Sequence, residues 1–204
     1  MQIKKDRLIT VCVTLIISII TLLPFGMWIG YKGGLRHKTI IVHTDFDDPE
    51  LTYTTNIHYD FLPPEISDYI CKMSDELGID SNLVVAILMK ENPQFDPKAV
   101  HRNKNGTSDC GLMQLNDVSI QSSFIPNYWD LSVEFDPFNW KHNLFLAMHF
   151  IQDLTEYLKI EDEVIMAYNA GLPRVMNNEI PVSTFQYLAA VKNNLLLLRE
   201  TYER

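Results

Sequence analysis

The hydrophobic pattern of the chain begins with one long apolar run. No charged residue lies between Leu8 and Ile29, and lysines and arginines stand on both sides of the run. A helix of about 20 such residues spans a bilayer. The run exceeds the roughly 7 to 15 apolar residues of a signal peptide, and no convincing small-residue cleavage site follows it. We therefore predict a short tail at 1–7 and an uncleaved transmembrane anchor at 8–30. A cleaved signal peptide is the alternative.

The segment after this run, residues 31–62, has no sustained hydrophobic period. Short β-prone stretches lie on either side of an acidic turn at residues 45–50. Such a pattern is typical of irregular or extended chain between two ordered parts. We interpret residues 31–62 as a short extended stalk or linker.

From residue 63 onward the apolar positions recur with helical spacing. In the first of these helices they fall at 66, 70, 73 and 77, and Gly78 follows as a stop signal. The second helix, from 82 to about 90, is apolar on all sides, which is typical of a buried helix. Pro93 forces it to end close to Glu91.

The same spacing continues to the end of the chain, after a polar stretch at 101–110 that we interpret as a loop. Further helices are predicted at 141–158, at 162–170 and from about 183 onward. The sequence therefore predicts a mainly α domain over residues 63–204, without an extensive sheet.

The charges divide unevenly along the chain. Residues 1–38 contain six Lys and Arg against one Asp, so the remainder holds 11 basic and 25 acidic residues. Binding to nucleic acid requires a basic face, so this acidic remainder argues against nucleic acid as a partner.

Two cysteines, Cys71 and Cys110, lie in the predicted domain. They pair if the domain faces an oxidising compartment, or they are simply two small buried residues. Their spacing does not suggest a zinc site.

Glu91 is the strongest candidate for a catalytic residue, because it lies at the end of the predicted buried helix, on the same face as the apolar residues Val84 and Ile87. Burial and the negative end of the helix dipole both disfavour a charged carboxylate there, so both raise its pKa. A general acid at neutral pH needs such a pKa, and glycoside cleavage needs such an acid. A solvated helix-end Glu beside Lys90 is the plainer alternative.

Two further motifs are weak by themselves. In Gly-Leu-Met-Gln at 111–114, Gly allows close approach of a ligand, Met offers a soft apolar surface, and Gln can bind hydroxyls. In Ala-Tyr-Asn-Ala-Gly at 167–171, Tyr168 lies on a buried stripe, where its hydroxyl needs a partner such as Glu91. The first motif is equally readable as the start of a core helix, and Gly171 as an ordinary helix stop.

In their order along the chain, these motifs resemble the lytic transglycosylase family with a goose-lysozyme-like catalytic domain. A helix ends in Glu91, Gly-Leu-Met-Gln begins 20 residues later, and Ala-Tyr-Asn-Ala-Gly follows. Phe135-Asp136-Pro137 and a closing Pro-x-x-Thr-x-x-Tyr pattern at 181–187 also fit. The resemblance runs from about residue 63 to 198 and implies a lysozyme-like helical fold.

The resemblance also implies roles. Glu91 would be the single acid/base that cleaves between N-acetylmuramic acid and N-acetylglucosamine in peptidoglycan and closes a 1,6-anhydro ring. Tyr168 would hold Glu91 in place, whereas Met113 and Gln114 would line the glycan groove. The whole implied substrate-binding set is Gly111, Leu112, Met113, Gln114, Tyr168, Asn169 and Tyr187. No metal and no organic cofactor is implied.

The sequence departs from the family pattern at two positions. Asn92 stands where members usually have Ser, which bears on fine positioning. Asp109 precedes Cys110 and Gly111 and is either a loop residue or a second carboxylate near the cleft. A second carboxylate would favour attack by water.

Topology and partners follow only from this substrate. The domain would lie on the extracytoplasmic side of the bacterial cytoplasmic membrane, held by one helix, and family analogy suggests an envelope-spanning complex as a partner. Three alternatives stay open: a water-using muramidase, an inactive peptidoglycan-binding or scaffolding protein, and a membrane adaptor that faces the cytosol.

Overall fold

A computed structural model of the chain describes residues 57–118, 125–130 and 132–202. The predicted tail, the predicted anchor at 8–30 and all but the last residues of the predicted stalk lie outside these ranges. Within them, no helix combines the length and the hydropathy that crossing a membrane requires.

The described part is mainly helical, as the hydrophobic spacing predicted. In chain order its elements are α1 Pro64–Leu77, α2 Ser81–Glu91, β1 Val100–Arg102, β2 Ser108–Cys110, β3 Leu115–Asn116, α3 Ile125–Tyr128, α4 Trp140–Leu158, α5 Glu161–Ala170, α6 Leu172–Met176 and α7 Val182–Tyr202.

Local signals explain where α1 ends and α2 begins. Gly78 adopts a left-handed conformation with φ of 65° after α1 and so closes that helix. Two residues later the Asp80 carboxylate accepts a hydrogen bond from the backbone N–H of Asn82, which caps α2. The turn between the helices is therefore short and well defined, and it fixes the direction of α2.

The stretch at 101–110 is a hairpin rather than the predicted loop. Strands β1 and β2 pair antiparallel, with His101 opposite Asp109, and β3 adds a third short strand beside β2. The strands are two or three residues long, too short for a period of two to be visible in the sequence.

Helix α2 is the centre of the core, because the residues from Leu83 to Leu88 are all buried. It packs against α7, while α1 packs against α4. The residues just before α1 belong to this core as well. Tyr59 is fully buried, and its hydroxyl donates a 2.9 Å hydrogen bond to Oδ1 of Asn82. Residues 57–62, which the sequence placed in the stalk, thus lie against the helices of the described part.

Cys71 and Cys110 are both buried and unpaired. The Cys71 thiol donates to the backbone carbonyl of Ile57 at 3.3 Å, and burial raises its pKa to about 11. A thiol with a raised pKa is a weak nucleophile, so this cysteine serves packing.

Candidate active site

Glu91 is the last residue of α2, where the buried helix meets a partly open surface. Burial is the main influence on its carboxyl group and raises its pKa to about 7. A carboxyl group with this pKa carries a proton in a large fraction of molecules near neutral pH, as a general acid must.

Tyr187 is the direct partner of Glu91. Its hydroxyl donates a 2.6 Å hydrogen bond to Oε1 of Glu91, across from α7 to the end of α2. Burial and the adjacent Glu91 charge raise the pKa of Tyr187 well above its usual value, so this hydroxyl keeps its proton. The family resemblance implied that Tyr187 binds substrate, and the structure shows that its hydroxyl is bonded to Glu91.

Tyr168 does not make the hydrogen bond to Glu91 that the sequence predicted. Its hydroxyl donates to the backbone carbonyl of Met113 at 2.9 Å. It nevertheless lies near Glu91, whose charge helps to raise the pKa of Tyr168 after the larger effect of burial. Tyr168 therefore holds the 111–114 motif. The prediction that its hydroxyl bonds to Glu91 was wrong, because the partner is the Met113 carbonyl.

Two charged neighbours act on Glu91 in opposite directions. After burial and the Tyr187 hydrogen bond, Lys90 lowers the pKa of Glu91 and Asp109 raises it. The Lys90 ammonium lies 5.5 Å from the centre of the Tyr187 ring, so the cation, the ring and the carboxyl group form one cluster.

Asp109 is held by two amides of the hairpin. Nδ2 of Asn103 donates to Oδ2 at 2.9 Å, and Nδ2 of Asn116 donates to Oδ1 at 2.7 Å. Each carboxylate oxygen thus accepts one hydrogen bond, and the two bonds fix the orientation of the carboxylate on strand β2. Asp109 is therefore both a structured hairpin residue and an electrostatic neighbour of Glu91.

Gly111 is required by the packing of the protein itself, whereas the ligand contact that the sequence suggested for it stays a prediction. Its φ is 77°, and a Cβ atom there would lie 2.1 Å from the carbonyl oxygen of Pro137 and 2.4 Å from Nδ2 of Asn143. Only glycine permits this close approach of the two backbones.

The side chains of Leu112 and Met113 are fully buried. The soft apolar surface that the sequence predicted at Met113 is therefore not available to a ligand in this structure, because the thioether lies inside the core. Both residues join the core cluster formed with α2 and α4. Their contribution to the site is to hold the backbone of the motif against these helices.

Asn143 on α4 holds this motif in place, although no sequence pattern had indicated a role for it. Its Oδ1 accepts from the backbone N–H of Met113 at 2.7 Å. Its Nδ2 donates to the carbonyls of Cys110 and Pro137, both at 3.0 Å. The signal that could have identified it is an Asn at the start of the apolar run predicted as a helix at 141–158, since an amide buried there needs several partners.

Gln114 is half-buried and has a left-handed backbone, with φ of 51°. Its Nε2 donates to the carbonyl of Gly111 at 2.8 Å and to that of Ala99 at 3.2 Å. The side chain thereby ties its own loop to the segment that follows α2. A left-handed non-glycine residue in such a loop is typical of a functional site.

Asn169 is exposed at the end of α5 and accepts a 2.9 Å hydrogen bond from the buried hydroxyl of Thr184. This contact joins α5 to the start of α7, the helix that carries Tyr187. Asn92 is buried directly behind Glu91, so it cannot present its amide to a substrate.

The cluster is built from proton donors and acceptors. Within the ranges that the structure describes, no group of three or more His, Cys, Asp or Glu side chains is arranged to bind a metal ion. What these residues can do is exchange one proton at Glu91 under the control of Tyr187, Lys90 and Asp109.

Two substitutions are expected to move the pKa of Glu91 in opposite directions. Tyr187→Phe removes a hydrogen bond that lowers this pKa, so the pKa should rise. Asp109→Asn removes a negative charge that raises it, so the pKa should fall. NMR titration of the Glu91 carboxyl carbon measures both shifts, and shifts in the same direction would refute this electrostatic account.

A family model described as "Transglycosylase SLT domain" matches residues 68–187, a span that contains Glu91, Asp109, Gln114 and both tyrosines. No curated protein matches the chain. The chain therefore belongs to the transglycosylase SLT domain family, and the family resemblance of its motifs is confirmed.

Among solved structures, the chain is similar to an inactive glutamate-to-glutamine mutant of the lytic transglycosylase Slt from Pseudomonas aeruginosa. The match has 17% sequence identity and a TM-score of 0.54, and it covers 66% of this chain and 24% of that chain. At this identity the similarity concerns the fold, which is mainly helical and lysozyme-like. The matched part is a minor share of the length of that enzyme.

Proposed function

We propose that the chain is a peptidoglycan lytic transglycosylase that cleaves the β-1,4 bond between N-acetylmuramic acid and N-acetylglucosamine. The observation that carries this proposal is the pairing of Glu91 with Tyr187 at 2.6 Å, on a carboxyl group whose pKa burial raises to about 7. Membership of the transglycosylase family supports the substrate class. The similar solved structure supports the role of a glutamate, since there a glutamate-to-glutamine mutant is inactive.

In the proposed reaction Glu91 acts twice. As an acid it gives its proton to the glycosidic oxygen, and the bond from that oxygen to the anomeric carbon of the muramic residue breaks. As a carboxylate it then takes the proton from the C6 hydroxyl of the same sugar, and that oxygen bonds to the anomeric carbon. The products are a 1,6-anhydro end and a free N-acetylglucosamine hydroxyl, and Glu91 regains its proton.

The neighbours of Glu91 suit both halves of this cycle. Burial favours the protonated form that begins it. The Tyr187 hydroxyl and the Lys90 ammonium stabilise the carboxylate that the first half leaves behind. A pKa near neutrality lets one group give and take a proton at similar cost.

Attack by water is the second candidate, because Asp109 lies close enough to Glu91 to raise its pKa. In glycosidases a second carboxylate can position water or stabilise the positive charge of the transition state. Both reactions use Glu91 as the acid, so the product distinguishes them. The hydrolytic product retains one added water, whereas the anhydro product does not.

The test is digestion of purified sacculi with the chain, in water enriched in heavy oxygen, followed by mass spectrometry of the released fragments. We expect unlabelled anhydro ends. Labelled reducing ends would establish the muramidase instead. Release of no fragments by a folded protein would favour a peptidoglycan-binding or scaffolding role and overturn both enzymatic proposals.

The location is a separate part of the proposal. The uncharged run at 8–30 supports a single membrane anchor, and a peptidoglycan substrate requires the domain on the extracytoplasmic side of the cytoplasmic membrane. The partners would then be glycan strands, the membrane and an envelope-spanning complex. A reporter enzyme fused after the last residue should be found outside the cytoplasm. A reporter that is active inside the cytoplasm would refute this topology.

A further inference from the structure

Directly behind Glu91, the chain makes a tight turn in which Asn92 is bonded through both its backbone and its side chain. Its N–H donates to the carbonyl of Leu88 at 2.9 Å and completes α2, and its carbonyl accepts from the N–H of Phe95 at 2.9 Å. The side chain, buried in the core, closes the turn from the other side. Its Oδ1 accepts from the N–H of Asp96 at 3.1 Å, and its Nδ2 donates to the carbonyl of Asp96 at 2.7 Å.

This turn contains an unfavourable backbone conformation. Phe95 is left-handed, with φ of 53°, which is a rare state for a bulky residue. Such a conformation is unfavourable and persists only where its surroundings impose it. Here the bonds from Asn92 to Phe95 and Asp96 impose the conformation, and the Phe95 ring lies 6.0 Å from the ring of Phe61.

The turn is also connected to the Gly111–Gln114 loop by consecutive hydrogen bonds. The carbonyl of Asp96, which accepts from Asn92, also accepts from the N–H of Ala99 at 3.1 Å. The carbonyl of Ala99 in turn accepts from the N–H of Gly111 at 2.9 Å and from Nε2 of Gln114 at 3.2 Å. A continuous path of hydrogen bonds therefore connects the residue after Glu91 to the Gly111–Gln114 loop.

We infer that Asn92 is a positioning residue, whose side-chain amide sets the end of α2 at Glu91 relative to the Gly111–Gln114 loop. A hydroxyl at this position is shorter than an amide and has one proton, so it could replace only part of the paired contact with Asp96. This inference rests on the proposed function for its kinetic readout. The titration of Glu91 gives a second readout that does not depend on activity.

The test compares Asn92→Ala and Asn92→Ser with the wild type. A displacement of about 1 Å in a catalytic group can cost up to about 10²-fold in rate. We expect kcat to fall by about 10-fold or more in the Ala variant and by less in the Ser variant, at temperatures well below unfolding, with KM nearly unchanged. The NMR titration midpoint of Glu91 should fall in the Ala variant, because a loosened turn admits water to its carboxyl group.

Gln152→Ala is the matched control, since it also removes an amide that donates to a backbone carbonyl, Leu77 at 3.0 Å, but between α4 and α1. It should lower the melting temperature without changing kcat or the Glu91 midpoint. The inference is overturned if Asn92→Ala keeps the wild-type kcat and midpoint, or if Gln152→Ala loses as much kcat. If the wild type itself releases no glycan, the proposed function fails, and the Glu91 midpoint in the Asn92 variants still decides the positioning role.

Discussion

Replacing Glu91 by Gln should lower the rate of sacculus digestion by about 10²- to 10⁴-fold, the usual contribution of a positioned general acid. Gln keeps the size of the side chain and can still accept the Tyr187 hydrogen bond, but it has no proton to give. Release of labelled glycan from sacculi measures the effect. Equal release by the variant and the wild type would remove Glu91 from the mechanism.

Stability against pH provides the control for this variant. The pKa of Glu91 is raised from 4.5 to about 7 in the folded protein. Its protonated form is therefore favoured by folding, and its contribution is fully present below pH 4.5 and is lost as pH rises through about 7. The wild type should lose stability over this range, whereas Glu91→Gln should not show that loss. If Glu91→Gln is inactive but at least as stable as the wild type at pH 8, its loss of activity is due to the missing acid and not to unfolding.

Gly111→Ala should unfold or severely destabilise the domain, by more than about 4 kcal/mol. The new Cβ would lie 2.1 Å from the Pro137 carbonyl oxygen, in a backbone conformation with φ of 77°. Neither the carbonyl nor the buried Asn143 amide can move without breaking the bonds that hold the motif. Urea denaturation followed by circular dichroism measures the loss.

Gly106→Ala separates the steric conflict from backbone strain. Gly106 has a similar φ of 87°, but nothing lies within 4 Å of the position of its Cβ. It should cost only the roughly 1 to 2 kcal/mol of a left-handed L-residue. Equal losses in the two variants would mean that the contact with Pro137 and Asn143 contributes little.

The helices were largely predictable because their signals are local. The stop at Gly78 follows from its tolerance of a left-handed conformation, and the cap at Asp80 from its short carboxylate side chain. The burial around Glu91 follows from a helix without a polar face. That single property places a carboxyl group where water is scarce, which is why the sequence could identify it.

The partner of Glu91 could not be derived in the same way. Tyr168 and Tyr187 both lie on helical stripes, and either hydroxyl needs a partner when buried. Only the packing of α7 against α2 brings Tyr187 to the carboxyl group, while Tyr168 reaches the Met113 carbonyl instead. Contacts between residues 96 positions apart depend on tertiary packing, which a local pattern does not encode.

The Gly-Leu-Met-Gln motif shows a second limit of prediction from the sequence. Its residue types suit a ligand surface, yet Leu112 and Met113 are buried and Gly111 makes room for Pro137 and Asn143. The same small, soft and amide-bearing residues satisfy a tightly packed turn as well as a ligand. The hairpin at Val100–Cys110 was missed for a related reason, since strands of three residues carry no readable alternation.

The central claim is that one carboxyl group at the end of α2 keeps its proton near neutral pH. NMR titration of the Glu91 carboxyl carbon in the wild-type protein tests it most directly, with Glu91→Gln identifying the signal. We expect a midpoint at about 7, raised by burial from 4.5. A midpoint near 4.5 would mean that Glu91 is a solvated carboxylate and would contradict its assignment as the general acid.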